Sequence, residues 1–383
     1  MRMLVLGAGR MGLGAVHDLV SQSDVDAVTV ADYELSKAKA IASRYPRKVT
    51  AAQIDCNDQQ AVVALMRGHA SAISCVNYWL NERLAKAAIE AGTHFCDLGG
   101  NNDVVDAELA LDEQARAAGV NIIPDCGLAP GMVAVLAAHG AEQFETLDSI
   151  HIRVGGLPQI PKPPLDYQLV FSVEGLINEY IEPARVIRDG KVTIVDSMTE
   201  LETLHFPEPF GAMEAFQTSG GTSTLVETFV GKVRDLDYKT IRYQGHCAKF
   251  KTMIDLGLCS SDPIPVDGAP VKPRRLLGQL LVANLPHDEP DLVLVRVEFA
   301  GAPVQGADSV KKLRYDIIDR ADPESGLSAM MRTTAFPASI VALMMARNQT
   351  SSKGALPQER CIPPQLFMDE LAKRNIDVQI TGE

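Results

Sequence analysis

The chain contains no uninterrupted apolar run of roughly 18 residues, the length a bilayer-crossing helix needs, so no membrane span is expected. Basic residues are in deficit: 36 Lys and Arg stand against 49 Asp and Glu, a formal net charge of -13. Phosphate backbones are bound by lysine and arginine clusters, so nucleic acid is excluded as a partner. The seven cysteines are odd in number, scattered, and never spaced as CxxC. Neither a disulfide framework nor a zinc site is expected, and buried thiols are. No ligand cluster such as HxxxH occurs, so no metal is assigned. Repeats and long low-complexity segments are also lacking. The opening "MRMLVLGAGRMG" has an apolar run, Met3 to Leu6, too short for a signal peptide, and the expected compartment is the cytoplasm.

What is there is enough for two cores. The 383 residues are 46% hydrophobic, more than one ordinary domain holds. Up to about residue 130 short apolar runs alternate with helical patterns: "MLVLG", "AVTVAD", "VTAAQID", "ASAISCV", "THFCDLGG" and "VNIIPDCG" read as strands with single helices between them. That alternation predicts a doubly wound parallel sheet covered on both faces, the Rossmann form of the α/β class. Asn81 is the expected N-cap of "ERLAKAAIEAG", and Gly92 its C-cap. After Gly140 the period changes. "DSIHIRVGG" alternates, Asp189-Gly190 marks a hairpin turn, and "DLVLVRVEFAG" and "VKKLRYDIIDR" read as long strands. An α+β substrate and dimerisation domain with a mixed sheet is predicted over 131–330. The apolar helical stretch Ser328 to Arg347, with Pro337 expected to kink or divide it, opens a C-terminal segment, 331–383, expected to return to the 1–130 nucleotide domain.

"GAGRMG" places Gly7, Gly9 and Gly12 as GxGxxG between a strand and a helix, and Asp32 ends the second strand. In that context the glycines serve a tight turn, close approach of a pyrophosphate, and helix–strand packing. The helix N-terminus attracts phosphate. Asp32 suits the adenosine ribose hydroxyls and repels a 2′-phosphate, which favours NAD over NADP, although Arg10 is placed to reach such a phosphate. Expected cofactor contacts are Gly7, Gly9, Arg10, Met11 and Gly12 in the loop; Asp32, then Asp55 and Cys56, at the next two strand ends; Cys75, Val76 and Asn77 after the fourth strand; Leu98, Gly99 and Gly100 after the fifth; and Pro130 after the sixth. Asp55 reads equally as a strand-end cap.

"CDLGGNN", "PDCGLAPGM", "FSVEGLINEY", "TSGGTSTL" and "KTIRYQGH" follow the nucleotide half in this order. Together they resemble the saccharopine dehydrogenase family, in its saccharopine reductase-like group, over essentially the full length. The "RYxGH" form is most similar to the lysine 6-dehydrogenase branch. The resemblance implies NAD-dependent oxidative deamination of the ε-amino group of L-lysine to allysine, which closes to piperideine-6-carboxylate, with release of ammonia and NADH. It also implies a homodimer or higher homo-oligomer. The alternatives are a reductase of the saccharopine or carboxynorspermidine kind and a nucleotide-binding sensor without turnover.

Amine oxidation needs a base and a clamp on the amino acid head group. Asp97 and Asp125 lie at strand ends where such sheets bind ligands, with helix or turn capping as the other reading of each. In "KTIRYQGHCAKF" an extended start puts Arg242 on one face with Thr240 and Gln244, and Tyr243 with Ile241 on the other. Arg242 offers a planar fork to a carboxylate, and a structural ion pair is its alternative. His246 opens a helix, where the dipole favours a neutral ring able to act as a base. Asp97 and His246 are thus the catalytic candidates. Arg242, Tyr243, Glu174, Asp125 and the loop Thr218, Ser219, Gly220, Gly221 and Thr222 are the substrate candidates. Glu174 reads also as a first-turn helix acid, and the loop as a dimer contact.

Overall fold

The computed structural model describes residues 1–304 and 312–382, which divide into two compact units. Unit one comprises Met1–Glu142, Ser223–Leu225 and Met331–Val378; unit two comprises Gln143–Thr222, Val226–Met330 and the segment from Gln379 onward. The second unit thus begins at Gln143, not at 131. The helix Met132–Ala141 carries seven buried residues and clusters with the nucleotide half.

Unit one is built on β1 (Arg2–Leu6), β2 (Ala27–Asp32), β3 (Val49–Gln53), β4 (Ser71–Ser74), β5 (His94–Asp97) and β6 (Asn121–Ile123). With a short late strand, Gly354–Ala355, they form one parallel sheet. Its order runs β3-β2-β1-β4-β5-β6 and ends on the late strand. The register, Met3 opposite Val28 and Val5 opposite Ile73, puts buried side chains on both faces of β1. A strand so placed must be apolar at every position, and "MLVL" is. The turnabout between β1 and β4 opens the crevice in which such sheets bind ligands. Gly92 ends its helix with φ +69°, as expected. Asn81 is not an N-cap. It is the first helical residue, and its amide takes a 2.8 Å hydrogen bond from Ser74 instead.

Helix Ala329–Ala346 passes through Pro337 undivided. By length and composition it would span a bilayer, yet most of it is buried. Within unit one it packs against the helix Arg10–Ser21, where a Cβ on Gly14 would lie 2.9 Å from Ala335. It is a core helix. All seven cysteines are free, and Cys75 alone is not fully buried.

Unit two continues with β7 (Phe144–Pro158), β8 (Ala184–Arg188), β9 (Lys191–Val195), β10 (Glu202–Phe206), β11 (Gly211–Gln217) and β12 (Val233–Tyr243). Asp189 and Gly190 take positive φ between β8 and β9, the hairpin turn expected there. Strands Asp291–Pro303 and Lys312–Arg320 and the terminal Gln379–Gly382 complete a nine-stranded mixed sheet, in which β12 runs parallel to β7. Val310 and Lys311 of the expected last long strand lie outside the described residues. Along β12, Tyr238, Thr240 and Arg242 face one side, and Asp237, Lys239, Ile241 and Tyr243 the other.

Candidate active site

In unit one, Gly7 adopts φ +98° and donates its N–H to the Ala31 carbonyl at 2.7 Å. A Cβ on Gly7 would meet the Cys75 carbonyl at 2.6 Å, and one on Gly12 the Gly7 carbonyl at 1.9 Å. These two glycines let strand and helix touch. Gly9 differs, because a Cβ there would meet nothing within 4 Å. Its backbone borders open space, as a loop that receives a pyrophosphate requires. Asp32 fastens the loop through Ala8 N at 2.7 Å and the next helix through Glu34 N at 2.8 Å. A carboxylate has about four acceptor sites, so ribose hydroxyls still find room on it.

A cleft of about 960 Å³ opens along this loop. Of the expected contacts it is lined by Gly7, Gly9, Arg10, Asp32, Asp55, Cys56, Cys75, Val76 and Asn77. Asp55 holds Asn57 N and Nδ2, both at 2.9 Å, and these hydrogen bonds lower its pKa. Tyr33 and Lys37 also line the cleft and were not anticipated. Met11, Gly12, Leu98, Gly99, Gly100 and Pro130 do not line it. Gly12 is packed on Gly7, Gly99 on the Asp125 carboxyl and Pro130, and Gly100 on the Tyr78 ring.

Beyond β5 and β6 three carboxyls are buried together. Asp97 Oδ1 accepts from Gly99 N at 2.6 Å and Asp125 N at 3.3 Å, while its Oδ2 has no donor. Asp125 adopts φ +60°; its Oδ2 takes a very short bond from Ser223 and its Oδ1 has no donor. The Gln358 amide donates to the Asp125 carbonyl. Glu108, fully buried, has no donor on either oxygen. Burial, then the charge of Asp97, pushes Glu108 up to about 11, so it is neutral. Burial raises Asp97 to about 6, against the pull of the Gly99 and Asp125 amides. Asp125 rises to about 8 through burial and the Asp97 charge, with Ser223 opposing. Glu108 was missed, although Val105 and Glu108 share the buried face of the helix Asn102–Leu109.

In unit two, Arg242 is 2% exposed. Its Nε donates to the Tyr180 hydroxyl at 2.7 Å and its Nη1 to the Ile241 carbonyl at 2.9 Å, and the guanidinium lies 4.7 Å over the Tyr167 ring. Among the described residues, no carboxylate pairs with it. The Tyr180 hydroxyl passes the chain on to His246 Nε2 at 3.0 Å, and His246 Nδ1 donates to the Leu165 carbonyl at 2.9 Å. His246 opens its helix as expected, yet it is fully buried with both nitrogens engaged. Burial first, then Arg242, pushes its pKa down to about 3, so the ring is neutral.

Thr218 and Thr240 share a 2.8 Å hydrogen bond, and Thr240 donates to Glu179 at 2.5 Å. The rest of the expected loop is used locally. Ser219 bonds Glu179 O and Asn178 O, Thr222 bonds Arg185 O, and Gly221 packs on the Tyr238 ring, while Gly220, at φ +85°, turns the chain. Two candidates are corrected. Tyr243 lies on the face of β12 opposite Arg242, and its hydroxyl donates to the Pro158 carbonyl at 2.9 Å. Glu174 is on the surface, paired at 2.7 Å with Arg274. Glu179, on the same helix, lies in the cluster instead.

A doubly wound sheet with this glycine cradle defines a Rossmann-type dinucleotide-binding protein. The chain belongs to the saccharopine dehydrogenase family. Its residues 3–123 match the saccharopine dehydrogenase NADP binding domain and residues 127–377 the saccharopine dehydrogenase C-terminal domain. Saccharopine dehydrogenase [NADP(+), L-glutamate-forming] of Saccharomyces cerevisiae is 25% identical over 76% of this chain and 65% of its own length. The chain thus spans a little under two thirds of that relative. Carboxynorspermidine synthase of Vibrio cholerae is 23% identical over 95% of this chain and 93% of its own. Among solved structures, apo saccharopine dehydrogenase (L-Glu forming) from Saccharomyces cerevisiae superposes with a TM-score of 0.81 at 21% identity, covering 100% of this chain and 99% of that one. Homospermidine synthase from Legionella pneumophila in complex with NAD gives 0.67 at 13%, covering 100% and 91%.

Proposed function

We propose that the protein oxidises a carbon–nitrogen bond of an α-amino acid with NAD, and that its substrate is L-lysine, deaminated at the ε-carbon. The observation that carries this reading is Arg242, a buried guanidinium with no acidic partner among the described residues. An unpaired buried charge is expensive, and a substrate carboxylate relieves it through the bidentate geometry arginine prefers. Every other buried cation of unit two is paired: Arg153 with Asp237, Lys239 with Glu202, Arg296 with Asp316. One unpaired cation suits one carboxylate. Saccharopine carries three, so lysine is favoured within the family's amino acids.

NAD supplies the hydride acceptor when bound; Asp32 at the ribose position favours it over NADP. The chain's own groups hold the head group and the proton. Tyr167 and Tyr180 orient Arg242, and His246 fixes Tyr180, a positioning part in place of the base expected of it. Asp125 and Asp97, raised toward neutrality, have the pKa a general base needs near pH 7. This base takes a proton from the ε-ammonium, and the neutral amine can then lose a hydride from its ε-carbon, which NAD held along Gly7, Gly9 and Asp32 would accept; water would add to the resulting iminium, and ammonia would leave with the aldehyde. A homo-oligomeric state and a cytoplasmic location belong to the same proposal and rest on the family resemblance alone. The second reading, a condensing reductase, is favoured by the names of the relatives. NADH formation at 340 nm from L-lysine plus NAD, run beside saccharopine, other diamino acids and NADP, decides between them. Turnover of saccharopine alone would refute the lysine reading, and no turnover of any amine despite NAD binding would leave a sensor.

A further inference from the structure

Glu179 and Tyr180 are neighbours on the helix Val173–Ile181. Tyr180 takes the Nε of Arg242. Glu179 is held by Thr240, which stands two residues from Arg242 on the same face of β12, and by Thr218 at 3.3 Å. A carboxylate and a guanidinium therefore share one cluster, yet no ion pair joins them. Opposite charges in contact attract strongly away from bulk water, so side chains free to meet would do so. These are not free. Two threonine hydroxyls fasten the one, and a tyrosine, a carbonyl and a ring face fasten the other. Two opposite charges held apart, with donors and acceptors to spare, are complementary to a ligand that carries the reverse pair on one carbon. The head group of an α-amino acid is such a ligand.

We propose that Glu179 receives the α-ammonium of the substrate whose carboxylate Arg242 holds, so that the pair admits zwitterionic α-amino acids and rejects ω-amino carboxylates and diamines. This rests on the amino acid reading of the preceding subsection and adds the residue that sets its selectivity. Glu179 is half-buried, which leaves it within reach of a ligand. Gln at this position keeps an oxygen for both threonine hydroxyls and removes only the charge, so the fold is preserved.

The test is calorimetric titration of the NAD-saturated protein with L-lysine and with 6-aminohexanoate, which lacks the α-amine. Saccharopine and its analogue without the lysyl α-amine are run in parallel. Wild type is expected to bind each α-amino compound at least 10-fold more tightly than its partner. Glu179→Gln should abolish that ratio while binding 6-aminohexanoate as wild type does, and Arg242→Met should weaken both members of a pair. If lysine fails to bind and saccharopine binds, the substrate reading is lost and the head-group pair is read from the saccharopine arm. If Glu179→Gln weakens both members of a pair equally, or wild type ignores the α-amine, the proposal is overturned.

Discussion

Replacing Arg242 by methionine separates a functional arginine from a structural one, because the two roles predict opposite signs. A structural arginine stabilises the fold it is part of. Arg242 is 2% exposed and has no ion-pair partner among the described residues, so the free protein carries a desolvated charge that Glu179 attracts only at a distance. Exchanging buried ionic groups for apolar ones of similar volume is neutral or stabilising by about 1–4 kcal/mol. The donors lost are modest in number: Tyr180 keeps His246 as its acceptor, and the Tyr167 ring keeps a soft side chain against it. The melting temperature is therefore expected to hold or rise, by about 2–4 °C per kcal/mol in a domain of this size. Substrate binding moves the other way. Hydrogen bonds to a charged group contribute about 1.5–3 kcal/mol, so KM for the amino acid should rise about 10- to 150-fold while KM for NAD stays put. Thermal denaturation followed by circular dichroism and steady-state kinetics on one preparation supply both numbers. A melting temperature lower by more than about 5 °C with KM unchanged would falsify the clamp and make Arg242 an ordinary core residue.

Other perturbations act on unit one. Ser223→Ala removes the hydroxyl that favours the charged form of Asp125, whose pKa of about 8 should then climb by about 1–2 units; the acidic limb of the kcat/KM profile should move up with it, and an unmoved limb excludes Asp125 as the base. Glu108 keeps its proton in the folded chain up to about pH 11 and loses it near the ordinary carboxylate value when unfolded. The folded state thus binds the extra proton throughout that interval, and stability falls as pH rises, by up to about 1.4 kcal/mol per unit. Glu108→Gln should flatten the decline of melting temperature between pH 7 and 10, and parallel curves for variant and wild type would contradict a protonated Glu108. Gly9→Ala should leave melting unchanged and weaken NAD binding at least 10-fold by calorimetry, whereas Gly12→Ala, with its Cβ 1.9 Å from the Gly7 carbonyl, should cost about 1–3 kcal/mol of stability.

The nucleotide half was legible because its signals are local. Strand, glycine turn, helix and acidic strand end follow one another in sequence, and the cleft-lining residues Gly7, Gly9, Arg10, Asp32, Asp55, Cys56 and Cys75 to Asn77 came with them. The period of β12 likewise separated Arg242 from Tyr243, and retaining Tyr243 as a substrate contact went against that period. The misses are long-range or depend on a helix face. Leu176, Ile177 and Tyr180 mark the buried side of their helix, and Glu179, three residues beyond Leu176, borders it while Glu174 points away. A helical wheel would have preferred Glu179. The Asp125–Ser223 contact joins residues 98 apart, and no pattern within either segment announces it.

Burial of charge does not by itself mark function, as a third cluster makes clear. On the other face of β12, Asp237 is as deeply buried as Arg242. It accepts from His151 and Arg153, each at 2.7 Å, and from Arg188 at 3.0 Å. Despite burial, these partners depress its pKa far below the carboxylate range. Arg153 and Lys239 in turn share Glu202. Every charge there has its counter-charge, so the folded chain already satisfies the cluster and gains nothing from a ligand. The acids beyond β5 and β6 and the guanidinium of Arg242 differ in kind. Glu108 and Asp125 hold protons at neutral pH that free carboxyls would have lost, and the arginine has no ion-pair partner among the described residues. A fold retains unsatisfied groups of this sort at a net cost in stability, and the sites where it does so are those where something outside the chain completes the pairing.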